Sequence, residues 1–316
     1  MDWQAKLHGG GIVLLDGGTG SELQRRGVPM SGAAWSGAAV QAYPDVVRAV
    51  HHDYIAAGAE VIITNTFGTS RSTLTAAGMG DAFATINRRA VALAFEARDL
   101  AGRDVAIGGS ISNLPPNMDV SDYPPPAEEL ADLRDQAAIL AEGGVDFIAL
   151  EMMQDLEHAP RAMQAALETG LPVWLGLSCR RSTDGANLVA FDFADTPFEA
   201  PLDALIALGP AVVSVMHSEV EATVPALELV RERWPGPIGA YPEIGDFAAP
   251  NWRVDTDDPP ERLVFEAHQW VAAGARLIGG CCGTTPDHIR ALRSALPELE
   301  RLAHDNGTPG NPPPAR

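Results

Sequence analysis

Eight short apolar runs punctuate this 316-residue chain, at residues 12–15, 61–64, 105–108, 147–150, 173–177, 212–215, 238–241 and 276–279. Most are continuous instead of alternating, the pattern of strands covered on both faces in a parallel sheet. Between them lie stretches with helical periodicity, at about 44–57, 81–100, 127–142, 156–168, 221–234 and 260–273. In the first of these, Val46, Val47, Val50, Tyr54 and Ile55 fall on one face. A last helix opens near Pro286, with Thr285 placed to cap it. Ala57-Gly58-Ala59, Glu142-Gly143-Gly144 and Ala273-Gly274-Ala275 each read as a glycine helix stop feeding straight into the next strand. This alternation predicts one α/β domain, a (β/α)8 TIM-type barrel over residues 1–303. A doubly wound sheet with a dinucleotide site is the competing architecture. It calls for Gly-x-Gly-x-x-Gly after a strand, and Asp16-Gly17-Gly18-Thr19-Gly20 has the wrong spacing. Residues 304–316, rich in Pro, Gly and Asn, read as a disordered tail.

Charge narrows the function. The formal net charge is −20, and Lys6 is the only lysine. Nucleic acid and anionic membrane both demand basic patches, so small molecules are the expected partners. Self-association is left open. No apolar run approaches the ~18 residues of a membrane span. The start, Met1-Asp2-Trp3-Gln4-Ala5-Lys6, lacks the basic opening and apolar stretch of a secretory signal. Three cysteines are too few for a disulfide framework. A cytoplasmic enzyme is the expectation.

Two of those cysteines are adjacent, in Gly279-Gly280-Cys281-Cys282-Gly283 at the end of the last apolar run. Neighbouring Cα atoms are about 3.8 Å apart, whereas unstrained disulfides usually need about 4.4–6.8 Å. Two thiolates at a strand end suit a soft metal such as zinc. The plainer reading is a pair of small buried residues in a glycine-rich turn.

In a barrel the carboxyl ends of the strands carry the active site. Polar residues collect there: Asp16-Gly17-Gly18-Thr19, Thr64-Asn65-Thr66, Ser110 to Asn113, Glu151, Ser178-Cys179, His217-Ser218, Tyr241-Pro242-Glu243 and the cysteine pair. On these residues the chain resembles the homocysteine S-methyltransferase family, which includes the betaine– and S-methylmethionine–homocysteine enzymes and the homocysteine module of cobalamin-dependent methionine synthase. The resemblance spans about 13–296. It is carried by Leu15-Asp16-Gly17-Gly18-Thr19-Gly20-Ser21-Glu22-Leu23, Thr64-Asn65-Thr66-Phe67, Leu150-Glu151, Ile278-Gly279-Gly280-Cys281-Cys282-Gly283 and Pro286-Asp287-His288-Ile289-Arg290.

The resemblance implies a Zn2+ site that holds homocysteine as thiolate, with Cys281 and Cys282 as two ligands. It implies that Glu151 holds the substrate amino group and that Asp16, Gly17 and Thr64 contact the rest of its amino-acid end. Alternatives stand beside two of these: Glu151 as a helix cap, Asp16 as a turn residue. The chain departs from the family pattern at two places. Where the family has a third cysteine after strand six, this chain has His217 in Ser214-Val215-Met216-His217. Imidazole is an ordinary zinc ligand, so His217 either completes the site or leaves it impaired, with Cys179 as a rival ligand. Three thiolates on zinc sum to −1, whereas two thiolates and a neutral imidazole sum to 0. The second departure is Tyr241-Pro242-Glu243-Ile244-Gly245, where the family often has Tyr-Pro-Asn-Ser-Gly. A carboxylate facing the site favours a cationic methyl donor, sulfonium or betaine-like; a solvated loop charge is the alternative. Trp35 and Trp252 are candidates for a cation-binding aromatic wall, or for packing. Methyl transfer to homocysteine, giving methionine, is the expected activity. The same chemistry on another thiol or selenol, and a non-catalytic, redox-regulated protein, are the rivals.

Overall fold

The eight runs form the strands of one parallel sheet: β1 (Val13–Leu14), β2 (Val61–Ile63), β3 (Ala106–Ser112), β4 (Phe147–Met153), β5 (Val173–Leu177), β6 (Val212–Met216), β7 (Ile238–Tyr241) and β8 (Leu277–Ile278). Neighbours run β1–β8–β7–β6–β5–β4–β3–β2, and a parallel bridge from Leu15 to Val61 joins the last strand to the first. The sheet is therefore a closed barrel. This computed structural model describes residues 1–116, 119–244, 246–248, 253–255 and 258–307. Helices α1 (Pro44–Ala57), α2 (Phe83–Ala101), α3 (Pro126–Glu142), α4 (His158–Leu167), α5 (Glu199–Ile206), α6 (Val220–Arg233), α7 (Pro260–Ala272) and α8 (Pro286–Gly307) each follow the strand of the same number. Among the described residues no helix is long and apolar enough to cross a membrane.

Two apolar layers hold this arrangement. The outer layer lies between helices and strands and includes Val50, Ile55, Leu93, Leu140, Leu227 and Trp270. The inner layer fills the barrel with Val61, Phe147, Trp174, Leu277 and their neighbours. A short helix, Trp3–His8, closes the amino end of the strands. Its Trp3 ring stands edge-on to Phe147 at 5.5 Å and to Trp174 at 4.9 Å, and those two rings stack at 3.8 Å. With one end plugged by aromatic rings, the carboxyl end is left for chemistry.

Three differences from the sequence reading have physical causes. The apolar run read for the third strand ends at Gly108, and β3 itself continues to Ser112. A Cβ on Gly108 would lie 2.5 Å from the Phe147 ring, so glycine here makes room for an aromatic core instead of ending a strand. The segment between β5 and β6 had no expected helix. It carries α5, only eight residues long with Pro201 in its first turn, and an antiparallel ribbon of Cys179–Arg181 with Leu188–Ala190. Finally, α8 continues through residues 304–307, past the boundary expected for the tail. Residues 308–316 lie outside the described residues.

Candidate active site at the carboxyl end of the barrel

A cavity of about 280 Å³ opens at the carboxyl ends of the strands. Asp16, Gly17, Thr64, Glu151, His217, Cys281 and Cys282, the residues singled out from the sequence, all line it. Three lining residues, Trp35 (φ 42°), Met152 (φ 57°) and His217 (φ 40°), are the non-glycine residues with positive φ among those described. Such backbone costs about 1–3 kcal/mol each and is held only where the surroundings dictate it. Here it concentrates on the cavity wall.

The cysteine pair leaves β8 in a tight turn, and His217 leaves β6, two strands along the barrel with only β7 between them. Cys281 Sγ lies 3.6 Å from His217 Nδ1 and 4.0 Å from Cys282 Sγ. The three donor atoms lie within 4.8 Å of one another. Tetrahedral zinc with ~2.3 Å bonds to sulfur and ~2.0–2.1 Å to nitrogen sets ligand edges of roughly 3.8 Å between sulfurs and 3.6 Å from sulfur to nitrogen. The donor set and its spacing thus fit the metal. Contact with Cys282, then burial, holds the Cys281 thiol well above its ordinary range. A metal cation would reverse that preference.

Cys179 stands elsewhere. It pairs with Ala190 in the ribbon, packs in the outer core, and is outside the cluster. Burial pushes its thiol up to about 12. Cys179→Ala should keep the metal stoichiometry of the parent and lose about 1–2 kcal/mol of stability, a small core truncation. Metal analysis beside a denaturant titration checks both; loss of metal would return Cys179 to the site.

Two buried carboxylates share the cavity, Glu151 across the barrel from the thiols and Asp16 beside them at the end of the neighbouring strand β1. Glu151 lies on β4 and accepts a hydrogen bond from Ser110 Oγ. Burial pushes its pKa up to about 7, against that hydrogen bond and the attraction of His217. The helix-cap reading fails, because Asp155 accepts from the Glu157 and His158 N–H groups at the start of α4. Asp16 is 2% exposed, and its Oδ2 accepts the Ile63 N–H at 2.9 Å. Burial raises its pKa well above the usual range, and Glu151 adds to the rise. Asp16 therefore braces β2 while facing the cavity. Gly17 is a site of close approach: a Cβ there would meet Thr284 O at 2.6 Å and Tyr54 Oη at 2.9 Å. The Thr64 hydroxyl is fixed by Thr66 Oγ1 at 2.8 Å and by the Ser110 N–H at 3.1 Å.

Trp35 lines the cavity, edge-on to Phe67 at 6.2 Å, whereas Trp252 lies outside the described residues. Glu243 is 13% exposed and is not a solvated loop charge; its Oε2 sits 3.4 Å from His217 Nδ1. Sequence reasoning missed the segment after the ribbon. There Phe191 packs on the His217 ring at 4.9 Å, and Asp192 and Phe193 line the cavity. Asp192 accepts from Gln154 Nε2 at 2.6 Å. The aromatic–acid–aromatic run Phe191-Asp192-Phe193 was the available signal.

Fold and site together define a barrel whose mouth gathers two thiols, an imidazole and two buried carboxylates on one cavity, with donor spacing that fits a soft metal. A model of the homocysteine S-methyltransferase family matches residues 13–296, and the chain belongs to that family. It is 31% identical to homocysteine S-methyltransferase 1 of Zea mays, over 91% of this chain and 95% of the relative. It is 28% identical to the selenocysteine methyltransferase of Astragalus bisulcatus, over 92% and 94%. Among solved structures, the homocysteine methyltransferase MmuM of Escherichia coli in its metallated form superposes with a TM-score of 0.74 at 25% identity, over 92% of this chain and 98% of that one. The chain is a methyltransferase.

Proposed function

We propose that this enzyme moves a methyl group from a small cationic donor, a sulfonium or a betaine-like ammonium, to the thiolate of homocysteine, giving methionine, with Zn2+ held by His217, Cys281 and Cys282. The observation that carries this reading is the convergence of those three donor atoms within 4.8 Å on the wall of a cavity that also holds Glu151 and Asp16. Bound zinc would supply the positive charge that keeps an acceptor thiol deprotonated near neutral pH.

The chain's own residues do the rest. Glu151 and Asp16 bind the acceptor's ammonium by charge-assisted hydrogen bonds. Gly17 leaves room for the acceptor, and the locked Thr64 hydroxyl gives it a rigid wall. The acceptor sulfur forms its bond to the methyl carbon as the bond from that carbon to the donor's S⁺ or N⁺ breaks, the bonding pair leaving with the donor atom. Two opposite charges vanish in that step, so an apolar, water-poor cavity favours it. Leu15, Ile63, Phe67, Leu114 and Met216 supply such a wall. Asp16, Glu151 and Asp192 line the cavity, and no lysine or arginine does among the described residues. That balance supports a cationic donor. The partners are small molecules, and the enzyme works in the cytoplasm, where thiols stay reduced.

The Astragalus relative, named for selenocysteine, favours a second reading in which a selenol takes the place of the thiol. One assay addresses both. Zinc-loaded protein is incubated with homocysteine or selenocysteine and, separately, a sulfonium, a betaine and a methylfolate, with products read by mass. Methionine from a cationic donor is expected. Methylation with methylfolate alone would overturn the donor assignment. Preference for selenocysteine would overturn the acceptor, and no methylated product from any pairing would overturn the function.

A further inference from the structure

Glu243 is hard to explain as a structural residue. Its Oε2 is buried and accepts no hydrogen bond from the described residues. Such an oxygen weakens a fold instead of supporting it. Its backbone, in contrast, is tightly placed. The Glu243 N–H donates to Ser218 O at 3.3 Å, next to His217; the Cys281 N–H donates to Pro242 O at 2.9 Å; and the Ile244 N–H donates to Cys282 O at 2.9 Å. One short turn is therefore tied to both cysteines and to the residue after His217, and it delivers a carboxylate 3.4 Å from His217 Nδ1.

We propose that Glu243 is a positioning residue for His217, and that the pair stands in for a third thiolate: the imidazole supplies the donor atom and the carboxylate supplies the negative charge. This rests on the metal site of the proposed function and deepens it. Glu243 is not itself a ligand in this arrangement, since the cluster within 4.8 Å holds His217, Cys281 and Cys282 without it. A divalent ion with two thiolates and a neutral imidazole sums to 0. Adding the carboxylate gives −1, the balance of a site with three thiolates. His217 and Glu243 are also the two places where the chain departs from the pattern it otherwise resembles. Their contact makes these one coupled change.

The test is a double-mutant cycle read as zinc affinity by chelator competition, with thermal melting as the folding control. Glu243→Gln keeps the shape and removes the charge. It should weaken zinc by about tenfold or more, because a buried negative charge beside the nitrogen that faces the thiols is lost, and Glu243→Asp should recover part of the loss. Cobalt-substituted Glu243→Gln should keep the parent's absorption bands, because the ligands stay in place. In a His217→Cys background the site already carries −1, so Glu243→Gln should leave affinity unchanged or tighten it. Equal losses in both backgrounds would reduce Glu243 to a packing residue, and altered cobalt bands would make it a ligand; either overturns the proposal. Failure of the parent itself to bind zinc would overturn the metal site beneath it, a separately visible result.

Discussion

Cys281→Ala is expected to empty the metal site while leaving the barrel folded. Cys281 Sγ is the atom that links the cluster, 3.6 Å from His217 Nδ1 and 4.0 Å from Cys282 Sγ. Four-ligand zinc sites bind with about 10–16 kcal/mol of apparent free energy. A quarter of that, about 2.5–4 kcal/mol, is a loss in affinity on the order of 10²–10³-fold, and methyl transfer should fall at least as far. Stability should respond little. The side chain faces a cavity and packs only at the edge of the inner apolar layer, so the change is a small truncation. Zinc content after dialysis against a weak chelator, with melting of the metal-free proteins, measures both parts. Retention of a full equivalent of zinc would exclude Cys281 as a ligand. A metal-free variant that no longer melts cooperatively would mean that the turn carrying it is structural.

The barrel was legible because its strands are buried on both faces. That forces continuous apolar runs such as 173–177, and the residue after each run falls at the mouth. The same logic put Glu151 and His217 at strand ends, and the structure gathers them with the cysteines on one cavity. What stayed hidden depends on packing between distant segments. The run at 105–108 ends in a glycine, and only the Phe147 ring packed beside Gly108 shows why. The Phe191-Asp192-Phe193 run reaches the cavity only because a ribbon folds back between β5 and β6. Glu243 reads as a loop charge until backbone hydrogen bonds to two distant segments, at Ser218 and at Cys281–Cys282, fix its turn against His217. Local pattern gives periodicity and element ends; it carries no information on which turns are tied together.

Glu151→Gln should weaken the acceptor and strengthen the fold, two effects of opposite sign from one lost charge. Removing one partner of a buried charge pair costs about 2–5 kcal/mol. The kcat/KM for homocysteine should therefore fall on the order of 30-fold to several thousand-fold. In the free protein, burial holds the Glu151 pKa at about 7, above its ordinary 4.5. Between those two values the native state binds more protons than the unfolded chain, so this group's contribution to stability falls as pH rises and is lost above about 7. The amide that replaces the carboxyl cannot ionise. Above pH 7 the variant should therefore melt higher than the parent, and below pH 4.5 the two should converge. The parent's kcat/KM should also drop about tenfold per unit as pH falls below 7, because a protonated Glu151 cannot pair with the acceptor's ammonium. Melting curves and acceptor kinetics across pH 4–9 read all of this. An unchanged KM together with a lower melting temperature at pH 8 would make Glu151 a structural carboxylate. The buried charge would then need a partner other than the substrate, and Ser110 Oγ, its hydrogen-bond donor, would be the place to look.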